Sequence, residues 1–240
     1  MNVLDRLWDH VYASQPAPPA WVVGVTALAA LLLVLNTGSW RLAGQVITIA
    51  HEGGHALVSV LSGRRLEGIR LHADSSGVTY SRGKRRGPGL VLTAAAGYVT
   101  PPLLGAGAAA LLAARHPAAL LWLALVLLAA TFLAVRNAFG ALAVLVTAAG
   151  VFAVSYYASA AVQACFAYLA AWFLLLGGMR PAVELTRRRS VSRSGSRSRS
   201  GLSDADQLAR LTGVSRGVWV AAFLLIATAA LALGARLLIP

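Results

Sequence analysis

The chain has 240 residues, is 58% hydrophobic and only 12% charged, and has a mean hydropathy of +0.70. Soluble domains carry about 25% charged residues, so a soluble fold is excluded, and so is any large extramembrane module such as a PDZ domain, because roughly six or seven spans of about 20 residues fill the length. The net charge of +13 comes from twenty Arg and one Lys against eight acids; it clusters in loops between apolar segments, as the positive-inside rule requires, and lacks the interleaved aromatics of a nucleic-acid surface.

Met1–Ala20 has no basic region leading into a short apolar core, so it reads as a short cytoplasmic segment, not as a signal peptide. A first span is expected over Trp21–Leu35, stopped by Asn36-Thr37-Gly38-Ser39, and a second over Trp40–Leu61, stopped by Gly63 and two arginines. The basic loop 64–89 contains two short runs, Leu66–Arg70 and Gly77–Ser81, around Asp74-Ser75-Ser76-Gly77, which predict a small cytoplasmic β-hairpin. An open sheet edge is not tolerated in lipid, so the hairpin must lie at the interface or pack on protein. A third span over Leu90–Ala114 is expected to kink or break at Pro101-Pro102. A fourth covers Pro117–Val135. Residues 137–176 hold two more, divided near Ser155-Tyr156-Tyr157. The Arg/Ser stretch 187–201 has a disordered composition. After it, Ser203 is placed to cap a short amphipathic helix, and Val218–Ile239 forms the last span. The fold class is thus all-α and polytopic, a single membrane domain over 1–240 with about seven spans. A seven-span count puts the N-terminus and both strongly basic loops on the cytoplasmic side.

Inside the second span lies His51-Glu52-Gly53-Gly54-His55. Two imidazoles four residues apart share one helix face, the usual first half of a catalytic zinc site, and the intervening carboxylate is the usual general base. Ionisable groups in a membrane segment are costly and mark function. Two hydrogen-bonding histidines beside a coincidental Glu would be the structural alternative. Cys165 is the sole cysteine, which excludes intrachain disulfides and Cys-rich zinc sites.

Such a site needs a third protein ligand. The acids are Asp5, Asp9, Glu52, Glu67, Asp74, Glu184, Asp204 and Asp206. Asp204 and Asp206 open a structured helix at membrane entry and are the best placed. Asp206, three residues after Ser203, also suits a capping role, which favours Asp204; His72 is the other candidate. Asn137, beside Arg136 at a span junction, is a candidate to hydrogen-bond substrate, with helix capping as the alternative.

HEGGH in a span, the basic hairpin loop, Gly97-Tyr98 with Pro101-Pro102 and Gly105, and Ser203–Thr212 (S-D-A-x-x-L-A-x-L-T) together resemble the site-2 protease family of intramembrane zinc metallopeptidases, in its compact bacterial branch without a PDZ domain. The resemblance spans most of residues 40–220. It implies hydrolysis of peptide bonds in or next to membrane-spanning protein substrates, with His51, His55 and Asp204 as zinc ligands, Glu52 as catalytic base and the cell membrane as location. Other members carry the ligand Asp inside a span, in an Asn-Pro-Asp-Gly or Leu-Asp-Gly context; here the acidic pair follows the Arg/Ser stretch. The rival readings are a non-catalytic membrane scaffold that retains the motif, and a metal transporter, which would need a ladder of ligands along a pathway.

Overall fold

The computed structural model describes residues 14–192 and 203–239. Its elements in chain order are α1 (Ala20–Leu35), α2 (Thr37–Leu61), β1 (Arg65–Leu71), β2 (Gly77–Arg82), α3 (Pro88–Ala113), α4 (Pro117–Ala134), α5 (Ala138–Tyr157), α6 (Ala160–Ser192), α7 (Asp204–Thr212) and α8 (Arg216–Leu238). Every expected span has a helix, and the hairpin is there as an antiparallel pair with a bulge at Leu66/Gly68.

The span count differs from seven. Five helices are long and apolar enough to cross a membrane, or six when α1 and α2, bent by 102° at Asn36, are counted as one span. Asn36 makes the corner: its side chain accepts from the backbone N–H of Gly38 (2.8 Å) and Ser39 (3.1 Å), capping α2 as α1 ends. Arg180 of α6 pins it, donating to the Val34 carbonyl and lying 4.4 Å over the Trp40 ring. Ahead of α1, the Gln15 N–H bonds the Arg115 carbonyl (2.9 Å) in the α3–α4 turn. The hairpin precedes α3 and Arg115 follows it, so the start of the described chain and the basic hairpin lie at opposite ends of α3. The seven-span count on which their sharing one side rested is not confirmed. Asp5, Asp9, His10 and most of the N-terminal segment lie outside the described residues.

Two further expectations change. α3 runs unbroken through Pro101 and Pro102; both rings are buried, with Gly178 of α6 against Pro102, and neighbouring helices of this kind are what lets a membrane helix carry proline. α6 does not stop at residue 176 or dissolve at Arg187 but continues to Ser192. The Arg180–Glu184 pair (3.2 Å) and the burial of Ala182 and Leu185 support the extra turns. The rest of the Arg/Ser stretch, from residue 193, lies outside the described residues.

α3 is the central helix, packed on α2, α6, α7 and α8. Three apolar clusters matter for the site. Ile47, Leu112, Leu121 and Leu175 tie α2, α3, α4 and α6 together. Ile49, Ile69, Leu71 and Val144 bind the hairpin to α2 and α5. Ala94, Leu185, Ala205, Leu208 and Phe223 dock α7 onto α3, α6 and α8. Leu208 and Phe223 are fully buried there. α7 itself is closed by a capping box, with Ser203 and Asp206 bonding each other's backbone N–H, and ends at Gly213, whose φ of 74° a residue with a side chain rarely adopts.

The hairpin packs on protein, as its edge requires. The Arg136 N–H donates to the Ile69 carbonyl (2.9 Å), and the Asn137 amide donates to the Leu71 carbonyl (2.8 Å) while accepting from its N–H (3.1 Å). Asn137 thus clamps the outer edge of β1. It forms no side-chain cap on α5, and its amide is engaged away from the histidine pair.

Candidate metal centre

Helical periodicity sets His51 and His55 on one face of α2, and α3 runs antiparallel against that face. The approach is close because position 97 has no side chain: a Cβ there would fall on the Nε2 atoms of both imidazoles. From α3, the Thr93 carbonyl sits 2.6 Å from His55 Nδ1. A carbonyl only accepts, so Nδ1 carries the hydrogen, and in the neutral ring the Nε2 lone pair is left to point into the site. The Tyr98 ring meets His51 edge-on (centroids 4.9 Å apart) and stacks on Phe223 of α8 at 4.9 Å. One aromatic side chain therefore links the first histidine to the helix that follows α7.

α7 delivers the acid. Asp204 Oδ2 lies 3.1 Å from His51 Nε2 and 3.2 Å from His55 Nε2, and the two nitrogens are 3.1 Å apart. Burial alone would raise the Asp204 carboxyl; the adjacent imidazoles instead hold it well below the usual carboxylate range. This triangle tests the fit of a metal. With Nδ1–H donated to Thr93, a neutral His55 presents its Nε2 lone pair to a carboxylate oxygen and to another ring nitrogen, an arrangement that a cation at its centre, a shared proton or a metal ion, completes. Atoms about 2.0–2.1 Å from a tetrahedral ion are roughly 3.3–3.4 Å apart, close to the three separations seen. Two imidazole nitrogens and one carboxylate oxygen, with a fourth position left over, are the donor set of a catalytic zinc. The residues present fit the ion.

Glu52 is buried beside the pair but turned toward the hairpin. The Thr79 hydroxyl is 2.7 Å from its Oε2 and 3.1 Å from its backbone carbonyl. Gly77 makes room for the carboxylate; a Cβ there would come within 2.6 Å of Glu52 Cγ and 2.8 Å of Oε1. Thr48 and Gln45 hold the hairpin tip, bonding the carbonyls of Ser75 (2.9 Å) and His72 (2.8 Å).

The other sequence candidates go elsewhere. Asp206 caps α7 and pairs with Arg216 (3.1 Å). Glu67 pairs with Arg82 (2.9 Å) and Glu184 with Arg180. Asp74 accepts from the Ser76 hydroxyl and N–H within its own turn, which lowers its carboxyl pKa, and His72 stays in that turn, near Ser76. Among the described residues, His51, His55 and Asp204 are the one group able to share a metal ion. Sequence reading missed Thr93, Gly97 as a spacer, Gly77 and Thr79. The last two were findable: residues 77 and 79 share a face of a strand already expected.

No curated protein and no solved structure matches the chain. A family does: Peptidase M50B-like, over residues 24–234, the site-2 protease family of membrane metallopeptidases. The match takes in both halves of the centre, the α2 motif and the α7 acid, and the chain belongs to the Peptidase M50B-like family.

Proposed function

We propose that the chain is a zinc-dependent endopeptidase of the cell membrane that cuts peptide bonds in or next to membrane-spanning segments of its protein substrates. The observation that carries this reading is the triangle of His51, His55 and Asp204 with Glu52 next to it. His51, His55 and Asp204 would hold a zinc ion, whose Lewis acidity would polarise the scissile carbonyl and acidify the attacking water. Glu52 is then the base that takes the proton of that water and returns it to the leaving amine. Thr79 and Gly77 hold its carboxylate in place through the hairpin. β2 has no strand partner on its outer side among the described residues, so a substrate unwound to an extended form can pair there and reach Glu52. Asn137 supports this arrangement by fixing β1 and with it β2. The basic loops favour a cytoplasmic position for the hairpin.

Glu52→Gln should abolish cleavage of a co-expressed membrane substrate while zinc content stays at one per chain. Equal cleavage by both proteins would sink the protease reading, and activity-independent function would then point to a scaffold. Asp204→Ala should lose zinc, with affinity down on the order of 100-fold or more, whereas Asp206→Ala should keep it and lose about 1 kcal/mol of stability as the carboxylate's bonds to the Ser203 N–H and Arg216 go. Metal retained in Asp204→Ala would remove that residue from the ligand set.

A further inference from the structure

β2 leads from the metal centre to the end of α2. At its start, Gly77 and Thr79 stand against Glu52. At its far end, Arg64, just beyond α2, donates to the Ser81 hydroxyl (3.2 Å) and to the Lys84 carbonyl (2.8 Å). The lengths agree: α2 rises about 14 Å from Glu52 to its end at Leu61, and β2 rises about 17 Å from Gly77 to Arg82.

The outer edge of β2 is open where it passes Glu52. In an antiparallel pair, residues that bond across the pair alternate with residues whose backbone groups turn away. The His72 N–H bonds the Ser76 carbonyl (2.9 Å) across the turn, so Gly77 and Thr79 are the residues of β2 that turn outward. The same alternation turns Ile69 and Leu71 outward on β1, where Arg136 and Asn137 bond them. Among the described residues, nothing does the same for the backbone of Gly77 or Thr79.

The open edge runs into positive charge. Val78, Tyr80 and Arg82 share the exposed face of β2. The Arg82 side chain is 80% exposed and stands opposite Arg65 in the strand pair, and like charges directly opposite are unfavourable. Lys84, Arg85 and Arg86 follow, all exposed. Glu67, 2.9 Å from Arg82, is the one acid at this end of the hairpin. No carboxylate pairs with Arg65, Lys84, Arg85 or Arg86 among the described residues. An extended chain seated on β2 with its reacting bond at Glu52 would therefore run along Arg82 and on to Lys84. We propose that this cluster selects the substrate: the segment that pairs along β2 carries acidic residues, beginning about three to five positions from the cleaved bond. The proposal rests on the reading of the chain as an endopeptidase that receives its substrate on β2. A basic flank, usual where membrane spans meet the cytoplasm, encounters like charge there and is turned away.

The test measures kcat/KM of the full chain in uncharged detergent. One single-span substrate is given three aspartates, three serines or three lysines in the flank, on each side of the bond in turn, and the cleaved bond is mapped by mass spectrometry. An exposed ion pair is worth up to about fivefold, so three aspartates should speed cleavage about tenfold over serines. Lysines should slow it, and high salt should shrink both differences. Arg82→Glu with Lys84→Glu should invert the order of the three flanks. Should that variant fail to fold, because it sets a second acid against Glu67, Lys84→Glu with Arg85→Glu leaves the Arg82–Glu67 pair intact and should abolish the aspartate advantage. Equal cleavage of the three flanks by wild type, or an unchanged order in a folded variant, would overturn the proposal and leave the protease reading standing. No cleavage of any flank, with Glu52→Gln indistinguishable from wild type, would sink both. Rates that instead follow the phosphatidylglycerol content of vesicles alike for all three flanks, and lose that dependence in the variant, would assign the cluster to the lipid surface and overturn the proposal too.

Discussion

On one side of α2, glycines from neighbouring elements are pressed against function: Gly97 against both imidazoles and Gly77 against the Glu52 carboxylate. On the other side, Gly107 and Gly150 face space that no atom of the chain occupies. The same residue type, at similar cost to helix propensity on α3 and α5, thus serves two ends. Toward the metal centre it lets backbone approach side chains that must sit within 3.2 Å of one another. Toward the cavity it keeps bulk away. Composition cannot tell the two uses apart; only the neighbours of the missing Cβ can.

Gly97→Ala should have the largest effect. The added methyl meets ring nitrogens that cannot swing aside, because His55 is tied to Thr93 and His51 is wedged against Tyr98. Overpacking of this kind costs about 1–3 kcal/mol, and here the strain falls on the ligand atoms. Zinc affinity should drop on the order of 10–100-fold, the range seen when the support of a metal ligand is lost. A chelator competition measures it. Unchanged affinity would mean that α3 yields and that the close approach is incidental to the site.

Gly77→Ala should act on rate and not on metal. Its methyl reaches Glu52, which is not among the metal-sharing group. Cleavage should fall about tenfold or more with zinc content unchanged, a loss of roughly 1.4 kcal/mol or more in barrier terms. Thr79→Val, which removes the 2.7 Å hydrogen bond to Oε2, should fall in the same class, since a bond to a charged group is worth about 1.5–3 kcal/mol. Zinc loss in either variant would show that the hairpin supports the ligands, not the base.

How much of this was legible beforehand follows from which parts are local. HEGGH carries its chemistry in five residues, and helix geometry alone puts two imidazoles together. The hairpin and the capping of α7 by Ser203 and Asp206 rest on turn and cap chemistry within a few residues, and capping is what singled out Asp204 over its neighbour. What could not be read was how the pieces meet. The hydrogen bond from His55 to Thr93 joins residues 38 apart and that from Thr79 to Glu52 residues 27 apart, neither with a periodic signature. The course of α1 was missed for a related reason. Asn36 reads as a stop, but a stop permits either a return through the membrane or a bend, and the choice rests on Arg180, more than 140 residues on. The count of seven spans drawn from charge therefore exceeds the five to six that the helices offer.

Gly150→Ala is the smallest effect and the sharpest check on the comparison, because its sign should reverse. Gly150 lies in the interior of α5 with helical backbone, so alanine can be accommodated without strain, and no atom stands within 4 Å of the new methyl. Glycine in a helix interior is destabilising by about 0.5–1 kcal/mol relative to alanine, and that much should be regained. For a chain of this length the gain corresponds to a rise in Tm of roughly 2–4 °C per kcal/mol, read by thermal unfolding in detergent. Gly54→Ala on α2 makes the control: its methyl would strike the Thr100 side chain and approach the Ala96 carbonyl to 3.1 Å, so the same substitution should lower Tm. Two variants moving in the same direction would show that helix propensity, and not the space around each glycine, governs these positions. Opposite signs would tie the two faces of α2 to the two roles assigned to them, close approach at the metal centre and an open cavity behind it.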